Sequence, residues 1–201
     1  MAARFLLLLV VPLAASCQQP APLRPDCRNP KSEGYFFPPG SLGGGDGSRY
    51  DVLVRGWFSS ALRLLSEPSL SCEEPSDETY RFMITAGADQ AQEVRVTRDS
   101  SGGGRLIGAE IGETSEGGRR IQRRLSREQW EEVEEAVEAS SFWTMPAAGP
   151  RGGTDGEDWV IEGRRRSSYH VVDRWSPESG AIMRWTVLLK WAKLNGARDP
   201  G

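Results

Sequence analysis

The chain has 201 residues, with 38% hydrophobic and 26% charged side chains, a size and balance that fit one soluble globular domain with appendages. Its formal charge of −3 supplies no overall field drawing it to nucleic acid, and one His beside three Cys, with no CxxC, is too thin a ligand set for a metal site. Seven Trp, each bringing a large buried area, let a domain of modest length still build a core.

Arg4 is the one charge ahead of residues 5–15, which carry none. As a helix that run measures about 16 Å, well short of a hydrocarbon layer of about 30 Å. Ala14, Ala15 and Ser16 follow it. Charge, short apolar run and small residues together predict a secretory signal peptide over 1–16, not a membrane span. Pro12 and the lack of a polar face argue against a buried N-terminal helix.

The segment Leu13-Ala14-Ala15-Ser16-Cys17 resembles the lipobox of bacterial lipoproteins. It departs from that pattern in placing Ala14, not Leu, three residues before the Cys. The resemblance implies diacylglycerol on the Cys17 sulfur, cleavage before Cys17 and further acylation of the palmitate kind. Two or three acyl chains anchor stably where one is marginal. Gln18, standing where an Asp is absent, implies the outer membrane facing the periplasm for a Gram-negative source. The alternative is plain cleavage, giving a soluble periplasmic or secreted protein. With Cys17 acylated, Cys27 and Cys72 are left as a pair able to join in an oxidising compartment.

Residues 17–49 hold six of the 13 Pro and a Gly-rich run, and read as a lipid-anchored Pro/Gly-rich tether. Tyr35-Phe36-Phe37 is the exception, with rings expected to pack on the domain. That domain is expected over 50–196, with a tail at 197–201. Over 51–66 the residues Leu53, Val54, Trp57, Phe58, Ala61, Leu62 and Leu65 have the spacing of an amphipathic helix, or of a strand followed by a helix, ended by Glu67-Pro68. Alternating apolar residues predict strands over 79–85 and 93–97; 105–111 and 119–125, each following a Gly-rich loop, are expected as the third and fourth. Ser126 and Gln129 make a capping box for the next helix, with Leu125 and Trp130 as the staple. Its acidic side, Glu131 to Glu138, reads as solvated.

Two β-rich runs, 159–162 and 169–175, flank Gly163-Arg164-Arg165-Arg166-Ser167-Ser168 and predict a hairpin. Ser176 as N-cap and Pro177 at N1 predict the start of a last helix carrying Ile182, Trp185, Leu188, Leu189 and Ala192 on one face. Asn195-Gly196 is its expected stop. Strands come in blocks joined by short turns. That predicts an α+β fold: an antiparallel sheet of about five to six strands packed with two to three helices.

No nucleophile-elbow motif, cofactor fingerprint or metal-ligand series is present. Gly153 to Gly163 and Tyr169 to Pro177, reading GTDGEDWVIEG and YHVVDRWSP, resemble a pattern in small, uncharacterised bacterial proteins. The resemblance implies a shared fold and a shared functional surface around Asp155, Trp159, Glu162, Tyr169, His170 and Trp175. It implies no activity and no cofactor. The expectation is a membrane-tethered cell-envelope lipoprotein acting as a non-catalytic binding or assembly module, with an envelope protein or the cell wall as partner. The alternative is a cell-envelope hydrolase using His170 with Glu162 or Asp173 as an acid–base pair.

Overall fold

Strand alternation is what organises this molecule. The structure, a computed structural model, describes residues 24–32, 34–43, 49–73, 78–85, 90–111, 119–149, 156–177 and 180–192. Within them lie helix α1 (Arg49–Leu64) and strands β1 (Thr79–Thr85), β2 (Ala91–Arg98), β3 (Gly104–Ile111) and β4 (Arg119–Leu125). Helix α2 (Arg127–Ala139), strands β5 (Asp158–Arg165) and β6 (Ser168–Trp175), and helix α3 (Thr186–Ala192) follow. The strands form one antiparallel six-stranded sheet in the order β4-β3-β2-β1-β5-β6, so the fold is α+β as expected.

Successive strand residues point to opposite faces, and both faces are covered. On one face Tyr80, Phe82, Val94, Val96, Leu106, Ile161 and Val172 pack against Trp130, Val133 and Val137 of α2 and Trp185, Leu188 and Leu189 near the chain's described end. On the other, Met83, Ala91, Val160 and Val171 pack against Val54, Phe58, Ala61 and Leu62 of α1, together with Phe36, Phe37 and Leu42. Central β1 is therefore buried on both sides, while β4 is an exposed edge strand. Its arginines keep that open edge from pairing with another chain. The opposite edge, β6, is partly covered by 147–149, through Asp173 N to Ala147 O at 2.7 Å and Gly149 N to Asp173 O at 3.2 Å.

Helix α2 begins as the sequence predicts. The Ser126 hydroxyl accepts from Gln129 N, and Gln129 Oε1 accepts from Ser126 N. Leu125 and Trp130 both enter the core. The last helix differs from its predicted start. Ser176 has a φ of +37° and pairs with Glu157 instead, through Ser176 N to Glu157 O at 2.8 Å and Glu157 N to Ser176 Oγ at 2.9 Å. Its hydroxyl is thus used in closing the end of the β5–β6 hairpin, and no longer caps a helix. A 3-10 turn at Ala181–Trp185 leads into α3, and the five predicted core residues of this segment are buried.

Within the stretch read as tether, Tyr35-Phe36-Phe37 pack on the domain as expected, and the residues after them follow. Residues 35–43 lie on the domain, with Phe36, Phe37 and Leu42 buried. Apolar burial of three large side chains outweighs the extended bias of the neighbouring prolines. Asp51 in the first turn of α1 holds the segment by accepting from Gly40 N at 3.0 Å and Leu42 N at 3.2 Å. Asp173 accepts from Gly43 N at 2.7 Å. Cys27 and Cys72 form a disulfide with Cα atoms 5.3 Å apart, tying the same segment to the connection after α1. The predicted signal peptide, Cys17, Asp155, the stop at Asn195-Gly196 and the tail lie outside the described residues.

Candidate functional site

The five described residues of the predicted surface do not share one surface. Trp159 and His170 point to the α2 side of the sheet; Glu162, Tyr169 and Trp175 point to the α1 side. Trp159 is buried against Phe82, ring centroids 5.2 Å apart, and its indole N–H donates to Glu157 at 3.4 Å. His170 packs its ring on Phe142, 5.1 Å away, opposite Gly163, where any side chain would enter that same Phe142 ring. Its Nε2–H donates to Met145 O at 2.9 Å. Burial holds its imidazole below the ordinary value, and the nearby Arg174 pushes the same way.

Glu162 and Asp173 both sit on the opposite sheet face from His170, as strand alternation requires of residues 171 and 173 and of the partner of Val171. The acid–base pair needed by the hydrolase alternative is therefore separated by the thickness of the sheet. General acid–base work needs donor and acceptor within hydrogen-bond reach of one another or of one substrate.

Glu162 belongs to a different constellation, one built around Arg81. Register places Arg81 opposite Glu162 on β5 and opposite Arg95 on β2, with Glu93 two residues along. Arg81 Nη1 donates to Glu162 Oε2 at 2.7 Å, Nε to Glu93 Oε1 at 3.1 Å and Nη2 to Pro68 O at 2.6 Å. Glu67, from the connection after α1, lies 3.7 Å from Arg81 and takes Arg95 Nε at 2.8 Å. Arg120 reaches Glu67 from β4, also at 2.8 Å. Tyr169 OH donates to Glu162 Oε1 at 2.8 Å. Arg81, Glu93 and Glu162 are wholly buried.

Electrostatics in this cluster follow from burial and crowding. Glu93 is pushed up to about 8 by burial first and by the Glu67 charge second, against the pull of Arg81 and Arg95. Its Oε2 has no hydrogen-bond partner among the described residues. Burial raises Glu162 as well, with Arg81 opposing. Tyr169 is raised well above its ordinary value by burial and by the Glu162 charge. For Arg81, burial works against the charge, but three carboxylates outweigh it and hold the proton. All three guanidinium nitrogens are engaged and no part of the group faces water. The arrangement is a clamp that fastens the 65–72 connection across β1, β2, β4 and β5.

Sequence reasoning missed Arg81, Glu93 and Glu67. A signal was present: Arg81 stands between Tyr80 and Phe82, and Glu93 and Arg95 alternate with Val94 and Val96. Such alternation reads as a half-solvated strand, and becomes a buried charge set only when a second layer covers that face. Among the described residues no group of three or more His, Cys, Asp or Glu is placed to hold a metal ion, and no helix is long and apolar enough to cross a membrane. The large exposed apolar side chains of the described residues, Tyr50, Val52, Leu53 and Leu64, all lie on α1. No family model and no curated protein matches the chain, so its functional reading rests on its own residues.

Proposed function

We propose that this protein is an exported cell-envelope lipoprotein, tethered through lipid on Cys17, whose folded part is a non-catalytic binding or assembly module. The observation that carries the reading is the Cys27–Cys72 bridge. A structural disulfide belongs to an oxidising compartment, which is where a signal peptide over 1–16 delivers the chain. The bridge also uses two of the three cysteines, leaving Cys17 alone in its lipobox-like setting. The folded part supports a binding role over a catalytic one, because its histidine, buried carboxylates and arginine clamp are engaged in holding layers together.

Mass measurement of the chain recovered from membranes tests the anchor. The expected result is a mature N-terminus at Cys17 carrying diacylglycerol and an amide-linked acyl chain. An unmodified N-terminus at or near Cys17, on protein found in the soluble fraction, rejects it.

A further inference from the structure

Helix α1 buries one stripe and leaves a second apolar stripe outside. Val54, Phe58, Ala61 and Leu62 face the sheet. At 100° per residue, Tyr50, Leu53, Trp57 and Leu64 fall within an arc of about 60° on the neighbouring flank. Leu64 is 68% exposed, Leu53 46% and Tyr50 37%, while Trp57 is half-buried. Four apolar side chains in line over about 21 Å of helix are more than scattered surface hydrophobes.

The charge on this helix is one-sided. Its only acid, Asp51, is buried and accepts from Gly40 N, Leu42 N and Arg55 Nε. What reaches solvent from α1 is apolar, neutral or cationic, with exposed Arg49 at the first turn and exposed Arg63 at the last. An aromatic and aliphatic stripe flanked by arginines, with no exposed acid, is the composition of a helix lying in a membrane interface.

The described N-terminal segment runs against the end of α1. Arg63 donates to Ser32 O at 2.9 Å and its guanidinium lies over the Phe36 ring at 5.4 Å. Residues 32–36 of the N-terminal segment therefore lie beside the last turn of α1, with Cys27 locked to Cys72. Ten residues separate Cys27 from Cys17, a span of at most about 35 Å when fully extended. Exposed Arg24, Arg28 and Lys31 outnumber exposed Asp26 on that segment.

We propose that α1 seats the protein on the bilayer: Tyr50, Leu53, Trp57 and Leu64, between Arg49 and Arg63, bed into the headgroup–acyl boundary of the membrane that carries the Cys17 anchor. This deepens the lipoprotein reading and rests on it for the anchor, not for the stripe. Acyl chains and stripe act together: each adds membrane affinity, and the short leash holds the stripe at the surface.

The test uses the full mature chain in phosphatidylethanolamine–phosphatidylglycerol vesicles whose acyl chains carry bromine, which quenches tryptophan only at membrane depth. The expected result is quenching in the wild type that is lost in Trp57→Phe. In Leu53→Glu/Leu64→Glu, whose folding is checked by circular dichroism, it falls to the Trp57→Phe level. For the chain without lipid, mixed with the same vesicles, the double substitution lowers partitioning by about tenfold or more, one exposed Leu burial being worth roughly that factor. Equal bromine quenching in wild type and Trp57→Phe overturns the seat, as does self-association through this face that vesicles do not compete away. A missing acyl mass on Cys17 rejects the anchor alone; vesicle quenching of that unacylated chain then still decides the seat.

Discussion

Arg81 on β1 and Glu162 on β5 face each other in the ladder, joined by a 2.7 Å hydrogen bond, with neither side chain reaching solvent. Removing one partner of such a pair leaves charge stranded in a dry interior, which costs more than the pair contributes when intact. Arg81→Met would strand Glu162 and Glu93 together and free the Pro68 carbonyl. We expect a loss of about 3–5 kcal/mol by urea unfolding. Adding Glu93→Gln and Glu162→Gln to Arg81→Met should restore much of that loss. A single Arg81→Met variant as stable as the wild type would show that the clamp is not closed in solution.

Glu93 gives the clamp a pH dependence with a definite sign. Its folded value, about 8, lies above the ordinary carboxylate value of 4.5, because burial and Glu67 disfavour its charge. Between those two values the folded state holds a proton that the unfolded state has released. Stability from this group is therefore full below about 4.5 and declines as pH rises to about 8. Glu93→Gln imitates the protonated form. It should be close to neutral near pH 4 and increasingly stabilising from there to pH 9, read as the difference between two denaturant midpoints. A variant equally destabilised at both pH values would contradict this.

What the sequence disclosed and what it hid divide along physical lines. The alternation of Tyr80, Phe82 and Ile84 announced β1, and the Ser126–Gln129 box announced α2, because each signal is local. Arg81 and Glu93 were hidden because their meaning depends on which layer covers the second face. The α1 apolar set spans two stripes that helical spacing alone merges; Leu53 and Trp57 fall on the flank away from Val54 and Phe58. At 35–37 the aromatic run announced its own burial, whereas Leu42, set among prolines and glycines, carried no such signal. His170 and Glu162 are near in the predicted hairpin, but paired strands keep parity across the ladder, and His170 lies opposite Gly163, not Glu162.

His170 should behave as a packing residue. It gives up a hydrogen bond to Met145 O and ring contact with Phe142 when truncated. His170→Ala is expected to lower stability by about 1–2 kcal/mol. Because burial depresses its value, the unfolded state binds the proton more readily, so wild-type stability falls as pH drops through the ordinary imidazole value of 6.5. His170→Gln, which keeps a side-chain donor but does not titrate, should lack that component between pH 7 and 5. Thermal midpoints of the two chains that fall in parallel over this window would refute the assignment.

The disulfide and the aromatic pair before α1 hold the same segment, and their shares can be separated. Cys27 and Cys72 are 45 residues apart, and loop-closure entropy assigns such a bridge about 4 kcal/mol. Phe36, Phe37 and Leu42 bury their side chains on the α1 face independently of it, and Asp51 fastens the turn that follows them. Cys27→Ser/Cys72→Ser is therefore expected to lose several kcal/mol by acting on the unfolded chain, while the packing of Phe36 on α1 persists in the folded one. Hydrogen exchange should then show faster opening of 24–34 with little change at Leu42. A double variant whose Leu42 amide exchanges as freely as the amides of 24–34 would mean that the bridge, and not apolar burial, carries the N-terminal segment onto the domain.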